Sequence, residues 1–202
     1  MPKRLMSQHG RVISSLSEFA SVSSADKISR GKQFYEFCDS KKRKVYFITE
    51  GDFIVRSKNG NKIITIISAP FVIGAMPSLD SPPVCLEKVD FGRIYSLEYN
   101  YFWSLVYHKE LHSDVMAILS GYHSDLLNYM QVQNNDAEVH TMNLIRRWSL
   151  FPCHIKKRFS LLYFLTNSSF ISKSTASRTL KKLKDEGVID LERGRLSAIN
   201  NT

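Results

Sequence analysis

Cysteine is scarce in this chain, and its spacing excludes a cross-linked scaffold. The three residues, Cys38, Cys85 and Cys153, are odd in number and far apart. That pattern fits reduced thiols in a cytoplasmic protein, not a disulfide framework. No sustained apolar run is present, so no membrane span is expected. The basic N-terminus, MPKRLMSQHGRVISSL, lacks the apolar centre and cleavage pattern of a secretion signal. Internal repeats and low-complexity tracts are missing too. There is no nucleophile elbow, glycine-rich phosphate loop or paired-carboxylate motif, so no enzymatic activity is expected. His108 and His112 stand four apart on an expected helix, a spacing compatible with two metal ligands. Glu110, however, is not where a zinc-protease motif needs it, and neither His123 nor Asp114 is fixed as a third ligand. Exposed helix histidines are the blander reading, and no metal or cofactor is expected. Cys38 and Cys85 have no resolving cysteine nearby and read as inert thiols, with redox sensing as the alternative.

What is present is length, charge and pattern. The 202 residues allow one large domain or two small ones, either with a proper core. The formal net charge of +9 is unevenly spread. Residues 137–202 hold 12 Lys or Arg against 5 Asp or Glu, whereas residues 1–136 hold 16 against 14. One third of the length therefore carries most of the excess, the footprint of a nucleic-acid-binding end on a nearly neutral body.

The stretch FISKSTASRTLKKLKDEGVIDLERGRLSAIN, residues 170–199, organises the rest. Ser172 is a good N-cap. Ala176, Leu180 and Leu183 recur at helical spacing as one narrow apolar stripe. The other faces carry Lys173, Ser174, Thr175, Ser177, Arg178, Lys181, Lys182 and Lys184. Gly187 suits a left-handed helix end. Two short runs, Val188–Leu191 and Leu196–Ile199, flank Glu192-Arg193-Gly194-Arg195 and predict a hairpin. A cationic, hydroxylic helix face suits a duplex groove, because hydroxyls and amines donate to phosphates and arginine pairs with guanine edges. A Lys-rich face is also what an ordinary solvated helix shows. The order of elements favours the groove. An apolar helical segment at Ile155–Thr166 and a polar turn at Asn167-Ser168-Ser169 precede the basic helix, as in a helix-turn-helix unit. The basic helix offers no large exposed apolar residues for a membrane surface, and no membrane partner is expected.

Upstream, residues 11–30 look like a Ser-rich helical lead-in. From 33 to about 100 the pattern is β, with Val45–Ile48, Phe53–Lys58 and Lys62–Ser68 separated by Glu50-Gly51-Asp52 and by Asn59-Gly60, a strong hairpin signal. Further runs lie at Phe71–Ile73, Cys85–Val89 and Gly92–Leu97, with Pro77, Pro82 and Pro83 in loops. Strands at this spacing predict a sandwich or jelly roll. From 101 the pattern turns helical. Val115, Leu119, Tyr122, Leu126 and Tyr129 alternate spacings of four and three, a two-repeat seam that serves a homodimer interface or burial within the monomer. Asn134-Asn135-Asp136 breaks the chain before a further helix at Glu138–Leu150. Tyr99, Tyr101, Phe102, Trp103 and Tyr107 cluster at the β-to-helix junction, for packing or as a small-molecule pocket.

A β body, a long helix and a terminal basic helix-turn-helix in this order resemble the cyclic-AMP receptor protein/FNR (CRP/FNR) family of bacterial transcription regulators. VYFITEGDFIVRSKNGNKIITIISAPFVIGAM (45–76) looks like that family's strand, glycine turn and hairpin run, ending in a glycine that opens the ligand pocket. ISKSTASRTLKKLKDEGVI (171–189) looks like its recognition helix, with Ser172, Lys173 and Arg178 at motif positions. The likeness covers most of residues 33–199. It implies an α+β fold in four parts: a lead-in (1–32), a cyclic-nucleotide-binding-like jelly roll (33–100), a connecting dimerisation helix (101–136) and a winged helix-turn-helix (137–202). It implies a homodimeric regulator that binds double-stranded DNA through helix 172–186, with RNA polymerase as a further partner. Lys173, Ser174 and Arg178 would meet base edges. Ser172, Thr175, Ser177 and Lys181 would hold phosphates, and Arg193 and Arg195 of the wing would reach flanking backbone.

Departures from the family bear on the effector. Cyclic-nucleotide-binding members place a Glu just after the pocket glycine and an Arg-Ser/Thr pair shortly beyond. Here Gly74 is followed by Ala75-Met76, and the later stretch is Pro82-Pro83-Val84-Cys85. A phosphate buried there would lack its bidentate partner, so cyclic AMP is expected not to bind. The cysteine cluster of the oxygen-sensing branch is missing as well, with none before Cys38. The small-molecule effector is left open. The alternative function is an effector- or protein-binding module that keeps the fold but acts by partnering another regulator.

Overall fold

The computed structural model describes residues 5–39, 42–76, 83–132 and 136–200. Pro77, Pro82, Asn134 and Asn135 lie outside these, as does the side chain of Tyr129. The chain divides into two compact units, one ending at Leu126 and the other beginning at Leu127.

The first unit opens with α1 (Met6–Leu16), which buries His9, Val12, Ile13 and Leu16 along one face. A single 3₁₀ turn, Ser17–Phe19, ends the helical lead-in, well short of the expected residue 30. The apolar stripe stops at Leu16, and the following backbone is taken up in strands: β1 (Ser21–Val22) pairs Ser21 with Ser96, and β2 (Lys27–Ser29) pairs with β3 (Lys32–Glu36). Then come β4 (Cys38–Asp39), β5 (Lys42–Ser57), β6 (Ile63–Ser68), β7 (Phe71–Ile73) and β8 (Val84–Glu98), every pairing antiparallel. The long pair β5 and β8 forms the spine. β7 lies along the first half of β5 and β6 along the second, while β8 takes β3 and β1.

Glu50-Gly51-Asp52 is not a turn. β5 runs straight through it, and the ladder with β8 shifts register there. Gly51 has φ +82°, and a Cβ on it would lie 2.1 Å from the Phe91 carbonyl oxygen. Glycine therefore serves a bulge in a continuous strand, where the sequence alone suggests a break. The runs at 85–89 and 92–97 are likewise one strand. The hairpin between β5 and β6 does form, with Gly60 and Asn61 as its left-handed residues.

Helix α2 (Tyr99–His108) is capped by the Glu98 carboxylate, which accepts from the Asn100 and Tyr101 amides. Helix α3 (His112–Val132) follows after a break in which Glu110 has φ +55°. His108 and His112 thus sit on different helices, which removes the one-face spacing behind the metal reading. Among the described residues no three metal-ligating side chains cluster. Phe102, Leu105, Val106, Val115 and Ile118 pack with Val12, Leu16, Val45, Phe47 and Val72 into one core; Leu119, Tyr122, Tyr99 and Trp103 lie against it. The aromatic group at 99–107 is thus divided: Phe102 is core, while Tyr101 and Tyr107 are exposed.

The second unit holds α4 (Ala137–Ser149), α5 (Cys153–Arg158), α6 (Leu161–Ser168), α7 (Lys173–Asp185) and the hairpin β9 (Ile189–Glu192) and β10 (Arg195–Ile199). The apolar segment expected over 155–166 is two helices. Phe159 is extended, and Ser160 starts a new helix by accepting from the Tyr163 amide at 3.1 Å. α6 then packs on α4, with Phe164 stacked on Trp148 at 4.8 Å.

Candidate nucleic-acid interface

Local chemistry defines α7 at both ends. Ser172 accepts from the Thr175 amide at 3.1 Å, and its hydroxyl also meets those of Ser174 and Thr175. At the other end the Val188 amide donates to the Leu183 carbonyl and the Gly187 amide to that of Lys184, with Gly187 at φ +71°. These two bonds form a Schellman stop. Ala176, Leu180 and Leu183 are buried as expected, and Thr179 joins them. α6 and α4 lie against α7. The turn before α7 is Ser169–Ser172, later than expected, because Asn167 and Ser168 finish α6. Asn167 donates to the Tyr163 carbonyl, and Ser169 back-bonds to that of Leu165 at 2.7 Å.

Burying that stripe turns the opposite face outward. Ser172, Lys173, Ser174, Ser177, Arg178, Lys181 and Lys184 are exposed and Thr175 is half-buried. Lys182 differs from the other cations. Its ammonium donates to the Glu138 carboxylate of α4 at 2.6 Å, with Glu186 at 3.8 Å, and the Glu138 bond raises its pKa. It fastens α7 to α4, a use no local pattern discloses. In the hairpin, Arg193 and Gly194 are both left-handed, as a two-residue turn requires. Arg193 stands at the tip. Arg195 is the ladder partner of Glu192, so its charge is opposed across the strands.

The expected dimer seam divides between interior and surface. Val115 is 1 % exposed and packs within the first unit's core together with Leu119; Tyr122 stacks on Phe71 at 5.7 Å. Val115 is thus an interior residue, covered by α1 and β7, while Leu119 and Tyr122 are partly buried against the same core. Leu126 is exposed at 48 %, together with Met116 and Leu127. The outward stripe of α3 is thus Met116, Ser120, His123 and Leu127, one position along from the seam read in sequence.

Gly74 is the glycine that the family resemblance sets at a ligand pocket. Gly74 has φ +96°, and a Cβ there would come within 2.9 Å of the Phe37 ring. Phe37 packs with Tyr35, Tyr46, Phe53, Phe71 and Leu86. On the other face of the spine, buried Arg56 pairs with Glu87, whose second oxygen takes Lys32 at 2.7 Å. Burial, then the Glu36 carboxylate, push the Cys85 thiol up, opposite to an activated thiolate. No helix among the described residues is long and apolar enough to cross a membrane.

No family model and no curated protein sequence matches the chain. Solved structures do. The c-di-GMP responsive global regulator CLP of Xanthomonas campestris superposes with a TM-score of 0.63 at 14% identity, over 96% of this chain and 100% of that one. A CooA variant from Carboxydothermus hydrogenoformans gives 0.63 at 12%, over 84% and 83%. A cyclic nucleotide-binding domain containing protein from Listeria monocytogenes EGD-e gives 0.61 at 14%, over 96% and 97%. At such identities the likeness is one of architecture: this chain is similar to these proteins in its mixed fold, built on an antiparallel β body.

Proposed function

We propose that the chain is a CRP/FNR-type, sequence-specific DNA-binding transcription regulator and not an enzyme. In this reading residues 137–202 form a winged helix-turn-helix, α7 is its recognition helix and β9–β10 its wing. The β body corresponds to the family's jelly roll. The observation that carries the reading is the division of α7 into a fully buried apolar stripe and an exposed face of lysine, arginine and hydroxyls. Folding alone requires the first; the second matches a phosphate-lined groove.

Lys173, Ser174 and Arg178 meet base edges, and Thr175, Ser177 and Lys181 hold phosphates. Ser172 contributes chiefly as the cap that orders the first turn. Arg193 reaches flanking backbone, and Arg195 does so against the pull of Glu192. Two copies associate along the outward stripe of α3, through Met116, Leu126 and Leu127, and present two recognition helices to successive half-sites. RNA polymerase is the downstream partner.

Arg178→Ala is expected to cost about 1–3 kcal/mol on a specific site and to relax preference at one base pair. Lys181→Ala is expected to weaken all sequences alike and to reduce the salt slope by about 0.9. Anisotropy titrations against the chain's own promoter and a scrambled duplex separate these outcomes. If both variants bind as the parent does, these roles are wrong, and the protein-partner reading takes their place. Cyclic AMP is not the effector, a view supported by the Phe37 ring packed against Gly74 and by the missing arginine. Calorimetric titration is expected to show no heat, and micromolar binding would overturn this.

A further inference from the structure

A second cationic surface in the C-terminal unit lies on α5. From Val139 to Lys184 the chain has no Asp or Glu and ten Lys or Arg. Five of the ten are on α7, and Arg146 and Arg147 end α4. The last three are consecutive, Lys156-Lys157-Arg158, in the final turn of α5. Lys156 has a structural use, since its ammonium donates to the Ser149 carbonyl at 3.1 Å and fastens α5 to the end of α4. Ile155, the residue before it, is buried. Lys157 and Arg158 are exposed.

The position of α5 gives these charges a direction. α5 packs against β10, β10 pairs with β9, and β9 packs against α7. The elements thus follow one another across the unit as α7, β9, β10, α5. Each part of that series presents cations: Lys173, Arg178 and Lys181 on α7, Arg193 and Arg195 on the hairpin, Lys157 and Arg158 on α5.

We propose that α5 is a third duplex-contacting element, with Lys157 and Arg158 each holding a phosphate beyond the wing. This rests on the DNA-binding reading above, and the experiment separates the two. Affinity of the full chain for its promoter and for a scrambled duplex is measured by anisotropy from about 50 to about 200 mM salt. The Lys157→Ala/Arg158→Ala double variant is expected to flatten the slope of log affinity against log salt by about 1.8, and Lys157→Ala alone by about 0.9. The ratio of promoter to scrambled affinity stays at the parent value, because phosphates carry no sequence information. Lys157→Arg/Arg158→Lys keeps the parent slope. A parent-like slope in the alanine variants overturns the α5 contact while leaving the DNA reading intact. So does a slope lost equally in the charge-conserving variant. A parent protein with no salt-dependent duplex binding overturns both.

Discussion

Arg178 and Lys182 stand four residues apart on α7, both exposed, and only their neighbours distinguish them. Lys182 is held by Glu138, a residue 44 positions away in sequence, so no local pattern separates it from the cations around it. His9 shows the same principle in the interior. It is wholly buried on α1, accepts from the Val72 amide through Nδ1 at 3.0 Å, and stacks on Phe71 at 4.4 Å. Burial lowers its pKa to about 4. Above the ordinary histidine value of 6.5 both folded and unfolded chains hold it neutral. Below it the unfolded chain takes up a proton that the folded chain refuses, so stability falls as pH drops from 6.5 towards 4. The loss from this one group is roughly 3 kcal/mol. His9→Asn keeps an acceptor near Nδ1 and removes the titration. Urea unfolding at pH 7 and pH 4.5 is expected to show the parent losing more stability than the variant, and equal losses would refute this role for His9.

At the scale of elements, legibility depends on whether the cause is local. α7 is readable at both ends because a cap, an apolar stripe and a glycine stop are written within fifteen or so residues. The break between α5 and α6 is not, since the apolar spacing of 155–165 continues across it and only the Ser160 cap reveals it. β5 misleads in the opposite sense. Glu50-Gly51-Asp52 has turn composition, but the strand continues because β8 supplies a ladder on both sides of the bulge. Gly51 is therefore a conformational requirement. Gly51→Ala would force an L-residue to φ +82° with its Cβ 2.1 Å from the Phe91 carbonyl oxygen. A cost of about 3 kcal/mol or more is expected, read as a lower urea midpoint. An unchanged midpoint would mean that the bulge relaxes freely.

For the whole molecule, the proposed dimer depends on which face of α3 is left exposed. Val115 is core and Tyr122 is partly buried against it, so the exposed apolar residues of α3 left for the proposed dimer are Met116, Leu126 and Leu127. Light scattering on the parent at tens of micromolar is expected to give the mass of two chains. Leu126→Glu/Leu127→Glu is expected to give one chain with a nearly unchanged melting temperature, because both positions are exposed. A variant that stays dimeric would place the interface elsewhere. The uneven charge belongs to this scale as well, and composition alone discloses it: the C-terminal third holds the excess. Folding gathers that excess on α7 and α5, while Arg193 and Arg195 of the hairpin are matched in number by Asp190 and Glu192.

The sequence by itself determined whatever depends on nearest neighbours along the chain: the start, stripe and stop of α7, the hairpins at Gly60 and Gly194, and the charge gradient. Only the tertiary structure decided which face of α3 is covered, that Lys182 serves α4, that Gly51 bends a strand without ending it, and that α5 stands beside β10. The physical reason is common to all four. A side chain's periodicity says that it needs a partner, while contacts between residues distant in sequence say which one it has.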